Sequence, residues 1–101
     1  MAGPKIVWSN RAKIKRYAIL DFYIKRNKSN TYSRKLNSRF NAELKLLLQY
    51  PDLGIKTEIE NVRGLIVDHF ILFYEVDRNT IIVHYIWDSR QDPEKLTIKK
   101  H

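Results

Sequence analysis

VRGLIVDHFILFYEVDRNTIIVHYIW, residues 62–87, is the stretch that decides the fold. Three runs within it, Val62–Val67, Phe70–Val76 and Thr80–Trp87, are dense in β-branched and aromatic residues. Such residues suit the pleated, half-buried surface of a strand. Asp68-His69 separates the first two runs, and Asp77-Arg78-Asn79 the last two. Connections this short join strands as hairpins, so the stretch predicts an antiparallel meander of three strands.

The pattern changes N-terminal to the meander. Tyr32, Leu36, Phe40, Leu44 and Leu47 recur at steps of four, four, four and three, which line one helical face. Arg34, Lys35, Arg39 and Lys45 fall off that stripe and are expected in solvent. Ser29, Asn30 or Thr31 caps the start. Pro51 ends the helix nearby, because proline disfavours a helical residue before it, and Asp52-Leu53-Gly54 makes a turn. Further upstream, Lys5–Ser9 predicts a short strand, with Ser9 or Asn10 capping a helix that runs to about Lys25. Its apolar residues, Ala12, Ile14, Tyr17, Ala18, Leu20 and Ile24, are spread broadly rather than in a clean stripe. Tyr17, Phe22, Tyr23 and Tyr32 are expected in the core. The polar segment Arg26–Asn30 separates the helices, and a connection of about five residues packs them as an antiparallel hairpin.

The order β-α-α-β-β-β predicts an α+β fold, a helical hairpin packed on one face of a twisted antiparallel sheet. Residues 1–101 form one domain, with a core over about 5–96 and a short basic tail at 97–101. Pro93 sits at a turn after the last strand. No repeat or linker interrupts the chain.

Charge is unevenly placed. Residues 1–50 carry twelve basic and two acidic residues, net +10, and residues 51–101 carry seven and nine, net −2. The positive field belongs to the helical half and fits an acidic or amphipathic partner segment, or nucleic acid. Several chemistries are excluded by counting. There is no cysteine, hence no disulfide, thiolate zinc site or cysteine nucleophile. Gly3, Gly54 and Gly64 are too dispersed for a phosphate-cradling or dinucleotide loop. His69, His84 and His101 lack metal-ligand spacing, so no metal and no cofactor is expected. Lys5, Arg11, Lys13, Lys15 and Arg16 leave no apolar core for a secretory signal, and no apolar run is long enough for a membrane span. A cytoplasmic protein is expected.

Three blocks make the chain similar to the RelE/ParE superfamily of bacterial toxins from type II toxin–antitoxin modules. They are Tyr23-Ile24 with Arg26-Asn27; Tyr50-Pro51 with Leu53-Gly54; and Val62-Arg63-Gly64-Leu65, His69 to Val76, then Ile86-Trp87 with Arg90, Asp92 and Pro93. The resemblance covers about residues 6–96 and implies the same α+β layout. It implies a cognate antitoxin whose helix and extended segment lie along the toxin's groove and sheet, within a dimer or a toxin–antitoxin hetero-oligomer. It also implies one of two activities. RelE-type members are ribonucleases, mostly cutting mRNA on the ribosome; ParE-type members poison DNA gyrase. Ribonuclease members typically carry an arginine one residue before the Leu-x-Tyr stretch of the middle strand. Here that residue is Ile71, followed by Leu72, Phe73 and Tyr74. Isoleucine neither donates a hydrogen bond nor holds charge, so the resemblance is closer to the ParE type, a toxin that binds its target without being an enzyme.

Arg63, Trp87, Asp88, Arg90 and Asp92 are the candidate partner- or target-binding residues. A fixed guanidinium at Arg63 or Arg90 binds phosphate in a bidentate manner; the structural alternative is a salt bridge to Asp88, Asp92 or Glu75. Asp88 and Asp92-Pro93 equally read as turn formers. If the chain is a metal-independent ribonuclease, His84, Glu58 or Glu60 is the base and Arg63 and Arg90 hold the phosphate. Strict alternation places His84 on one face with Ile82 and Ile86. A basic nucleic-acid-binding module, or an inactive toxin, is the third reading.

Overall fold

The structure, a computed structural model, describes residues 3–90. Asp92, Pro93, His101 and the basic tail lie outside the described residues. The elements are β1 (Lys5–Trp8), α1 (Asn10–Asn27), α2 (Thr31–Leu46), β2 (Ile55–Lys56), β3 (Val62–Val67), β4 (Phe70–Asp77) and β5 (Thr80–Asp88). The sheet runs in the order β1-β5-β4-β3-β2.

Local chemistry sets the boundaries. The Ser9 hydroxyl accepts from the Ala12 backbone N–H at 3.1 Å and so caps α1, while donating to the His84 carbonyl at 3.0 Å. One side chain thus starts the helix and ties it to β5. Lys28 closes α1 in the left-handed conformation (φ 54°). Ser33 faces inward on α2, and its hydroxyl donates to the Leu20 carbonyl at 2.6 Å, stitching the two helices together. The two meander turns each place a residue in the left-handed region, Asp68 (φ 54°) and Arg78 (φ 59°).

The main core lies between the helical hairpin and one face of the sheet. Leu36, Phe40, Leu44 and Leu47, the expected stripe of α2, meet Leu65, Val67, Phe70, Leu72, Tyr74, Ile81, Val83 and Ile86 from the strands. A fully buried side chain of this size contributes about 1.5–3 kcal/mol. A second, smaller cluster sits on the helix-free face: Val62, Phe73 and Trp87, with Ile59, Ile71 and Tyr85 against them.

The meander is antiparallel as expected, but the sheet as a whole is mixed. β1 pairs parallel to β5, with Lys5 opposite Thr80 and Trp8 opposite Val83. The helical hairpin is the crossover that a parallel pair requires. β2, two residues long, adds an edge strand antiparallel to β3 that the sequence did not announce.

Two further expectations are corrected. Tyr23 is buried, but Tyr17 and Phe22 are 73% and 54% exposed. They fall on the solvent side of α1, whose inward face is formed by Ala12, Ile19 and Tyr23. His84 does not share a face with Ile86. The β4–β5 register shifts between Phe73 and Tyr74, so that Tyr74 pairs with Val83 and Phe73 with Tyr85. This leaves His84 as the extra residue of a bulge, which breaks the two-residue alternation. Ile86 enters the core, and His84 stays near Glu75 on the helix-free face.

Candidate functional site

The polar groups gather at three places. The first is where β5 ends. The backbone N–H and hydroxyl of Ser89 both donate to the His69 carbonyl, at 2.8 and 2.7 Å, which locks the strand end against the β3–β4 turn. Arg90 then folds back. Its backbone N–H and Nε donate to Asp88 Oδ1 at 2.9 and 3.2 Å, and Nη2 donates to Asp88 Oδ2 at 3.1 Å. Nη2 also donates to the Tyr23 hydroxyl of α1 at 2.6 Å. Tyr23 Oη lies 3.3 Å from His69 Nε2. Asp88 therefore acts as turn former and as anchor of Arg90 at once.

Electrostatics follow the geometry. Burial pushes the Asp88 carboxyl up, but the hydrogen bonds from the Arg90 side chain and backbone and the charge of Arg90 outweigh it, so the carboxyl lies below its ordinary value. Asp88, then Tyr23, hold Arg90 more firmly in its charged form. Next to this group, Tyr32 packs edge-on against Tyr23 with ring centres 4.7 Å apart. Burial, with Tyr23 and Asp68 adding to it, raises the Tyr32 phenol, and the Arg90 and Arg39 charges partly oppose this. Arg39 of α2 is paired with Asp68. Arg39 and Arg90 thus flank one aromatic pair.

The second place is the loop after α2. Tyr74 is fully buried, and its hydroxyl donates to the Pro51 carbonyl at 2.7 Å and accepts from the Gly54 N–H at 2.9 Å. Arg63 Nη1 donates to the Gly54 carbonyl at 2.8 Å, and Nε lies 3.6 Å from Asp52 Oδ1. Arg63 is an anchor of this loop. Among the described residues its partners are backbone and Asp52, not the Asp88 or Glu75 considered from the sequence. Gly54 is required by close approach, since a Cβ there would stand 2.6 Å from Tyr74 Cε1 and 2.8 Å from the Gly64 carbonyl.

The third is on the helix-free face, where His84 Nε2 lies 2.9 Å from Glu75 Oε1. A shallow groove there is also lined by Arg11, Ile59, Glu60 and Val62. The Arg11 guanidinium sits over the Tyr85 ring, 4.1 Å from its centre. Glu58 is exposed and lines none of these places.

Of the ribonuclease candidates, Glu60 and Arg63 line one recess, but His84 and Arg90 are not brought to it. Arg63 pairs with Tyr74, whose side chain points to the helix side, while His84 lies beside Glu75 on the opposite face. Asp88, next to Arg90, lies five residues along β5 from Val83, the residue level with Tyr74, a run of about 16 Å. Ile71 points to the helix-free face, where its Cγ2 would meet a Cβ on Gly64 at 3.0 Å. Trp87 is 5% exposed and belongs to the cluster beneath it. From the sequence, Tyr23 is not expected as the partner of Arg90, nor Glu75 as that of His84. Tyr23 and Glu75 both fall within the resemblance blocks, but nothing in either block pairs them with these residues. Among the described residues no group of histidines and carboxylates is arranged to hold a metal, and no helix is long and apolar enough to cross a membrane.

Comparison with known proteins agrees with the fold. Among solved structures, a chain of the "Chromosomal ParDE TA system from P. aeruginosa" superposes with a TM-score of 0.69 at 21% identity, covering 82% of this chain and 92% of that one. At that identity the likeness speaks to the fold alone. No curated protein matches the chain in sequence. The sequence model of the family described as "ParE toxin of type II toxin-antitoxin system, parDE" matches residues 6–93, nearly the whole length. The chain belongs to the ParE toxin family of type II toxin–antitoxin systems.

Proposed function

We propose that this toxin arrests growth by binding DNA gyrase rather than by cutting RNA, and that a ParD antitoxin neutralises it. The observation that carries this reading is the dispersal of the candidate catalytic groups: Arg63 anchors a loop, Arg90 is clamped at the far end of β5, and Ile71 fills the mid-sheet position with hydrocarbon. RNA cleavage needs a base, a phosphate-stabilising cation and an acid around one phosphodiester. A binding toxin needs only a surface. The Asp88–Arg90 end is the target contact in this reading, with Asp92 belonging to it by sequence position. The antitoxin takes the helix-free face, where Ile55 and Ile66 are exposed. The ParDE system seen in the P. aeruginosa structure supports a ParD-type partner.

RNA cleavage, the rival, rests on the His84–Glu75 pair, in which the carboxylate could polarise the imidazole as a base. Expression in a susceptible bacterium separates the two. Under the gyrase reading, Arg90→Ala relieves growth arrest more than His84→Ala does. The reverse ranking, with both variants folded, favours cleavage. Soluble, folded protein that leaves growth untouched refutes both.

A further inference from the structure

We propose that the recess between α1 and the end of β5 binds one nucleotide unit of a single-stranded nucleic acid, its base against Phe22 and its phosphate on Lys15, Arg26 and Arg90. The recess is about 340 Å³, and Ala18, Ile19 and Phe70 contribute apolar surface to it. That volume is within the range of small-ligand sites. Three cations line it against one carboxylate, Asp88, which is already occupied by Arg90.

The side chains are set for this ligand in different ways. Phe22 is more than half exposed, yet its ring is propped edge-on by Tyr23, with centres 5.0 Å apart at 84°. An exposed ring held in place is a stacking surface, and every base offers a π-face to it. Arg90 is fixed in orientation by Asp88 and Tyr23 through Nε and Nη2, which leaves its Nη1 without a hydrogen bond among the described residues. A guanidinium pre-oriented in this way gives up little freedom on taking a phosphate oxygen. Arg26 is exposed and makes no ion pair among the described residues.

The basic surface continues beyond the recess. Arg90 and Arg39 flank the Tyr23–Tyr32 pair, and Arg39 lines a shallow depression on α2 with Arg34 and Lys35, both exposed and unpaired among the described residues. A strand with its base on Phe22 has cations to follow. An acidic peptide would gain the same charges but brings no flat π-face to lay on the exposed Phe22 ring, so nucleic acid is the better fit.

The test is fluorescence anisotropy of a labelled fifteen-residue oligothymidylate with the full chain, across a potassium chloride series. We expect saturable binding whose logarithm falls against log salt with a slope of about −0.7 for the one phosphate held in the recess, and about 0.7 more for each further phosphate that meets a cation beyond it. Phe22→Ala and Phe22→Leu should each weaken binding about tenfold or more with the slope retained. Lys15→Gln with Arg26→Gln should weaken binding and flatten the slope by up to about 0.7. Circular dichroism confirms that each variant is folded, which the exposure of Phe22 favours. The proposal is overturned if the strand does not bind. It is overturned equally if folded Phe22 variants bind as the parent does, or if an oligoglutamate peptide binds as tightly and loses as much on the same substitutions.

Discussion

Tyr74→Phe removes one oxygen atom and leaves the ring that fills the core. In the native protein that oxygen serves two backbone groups of the loop after α2, donating to the Pro51 carbonyl at 2.7 Å and accepting from the Gly54 N–H at 2.9 Å. Gly54 is buried, so its N–H has no water to turn to. A buried donor left unsatisfied costs about 1–3 kcal/mol, and the half-buried Pro51 carbonyl adds part of a further bond. The expected loss is about 2–3 kcal/mol, or about 10–20 °C in melting temperature for a domain of this size. Burial also raises the Tyr74 phenol, partly offset by the Gly54 hydrogen bond and the Arg63 charge, so the neutral hydroxyl is the form that does this work at neutral pH. Urea unfolding followed by circular dichroism measures the loss. Tyr85→Phe is the control, because its hydroxyl makes no hydrogen bond among the described residues and should change stability by less than about 0.5 kcal/mol. Gly54→Ala should be at least as damaging as Tyr74→Phe, given the 2.6 Å approach. The double variant should lose less than the sum, since both changes disturb one contact. A Tyr74→Phe loss of under about 0.5 kcal/mol would refute the assignment of this phenol as the loop's anchor.

Three other outcomes follow from the same geometry. The folded Asp88 carboxyl lies below its ordinary value, so its contribution to stability is full above about pH 4 and is lost as pH falls through the depressed value. The stability gap between the parent and Asp88→Asn should therefore close in acid, and a gap constant from pH 7 to 2 would contradict this. Ser9→Ala removes the α1 cap and the bond to His84 and should cost about 1–2 kcal/mol in thermal unfolding; an unchanged melting curve would deny the cap its role. Ile71→Arg, which installs the residue common to ribonuclease members, should lower stability by about 1–3 kcal/mol and produce no RNA cleavage. It forces a cation against Gly64, so RNA cutting by the variant would show that one residue was all the site lacked.

The elements most legible in the sequence were those set by local chemistry. The α2 stripe, the Ser9 cap and the two meander turns each depend on residues a few positions apart, and all appear where expected. What depends on distant partners was less legible. β1 carries no mark of the parallel strand it joins, because that pairing is made across 75 residues between Lys5 and Thr80. β2 is too short to show a period. The broad apolar spread of α1 is explained by exposure: Ile14, Tyr17 and Phe22 are all on its outer side. His84 was misplaced because a single bulge shifts the alternation, and nothing in VHYI announces a bulge. At the candidate site, Arg90 and Asp88 were visible as neighbours in sequence. Tyr23, 67 residues from Arg90, becomes its partner only because α1 packs beside β5.

Gyrase itself provides the most direct test of how this toxin works. The purified full chain should be mixed with DNA gyrase, relaxed plasmid and ATP, with transcript 5′ ends mapped in parallel in cells expressing it. The account predicts loss of supercoiling or accumulation of gyrase-cleaved plasmid, reversed by a ParD antitoxin, with transcript ends unchanged. Normal supercoiling together with new transcript ends that vanish in His84→Ala would contradict it.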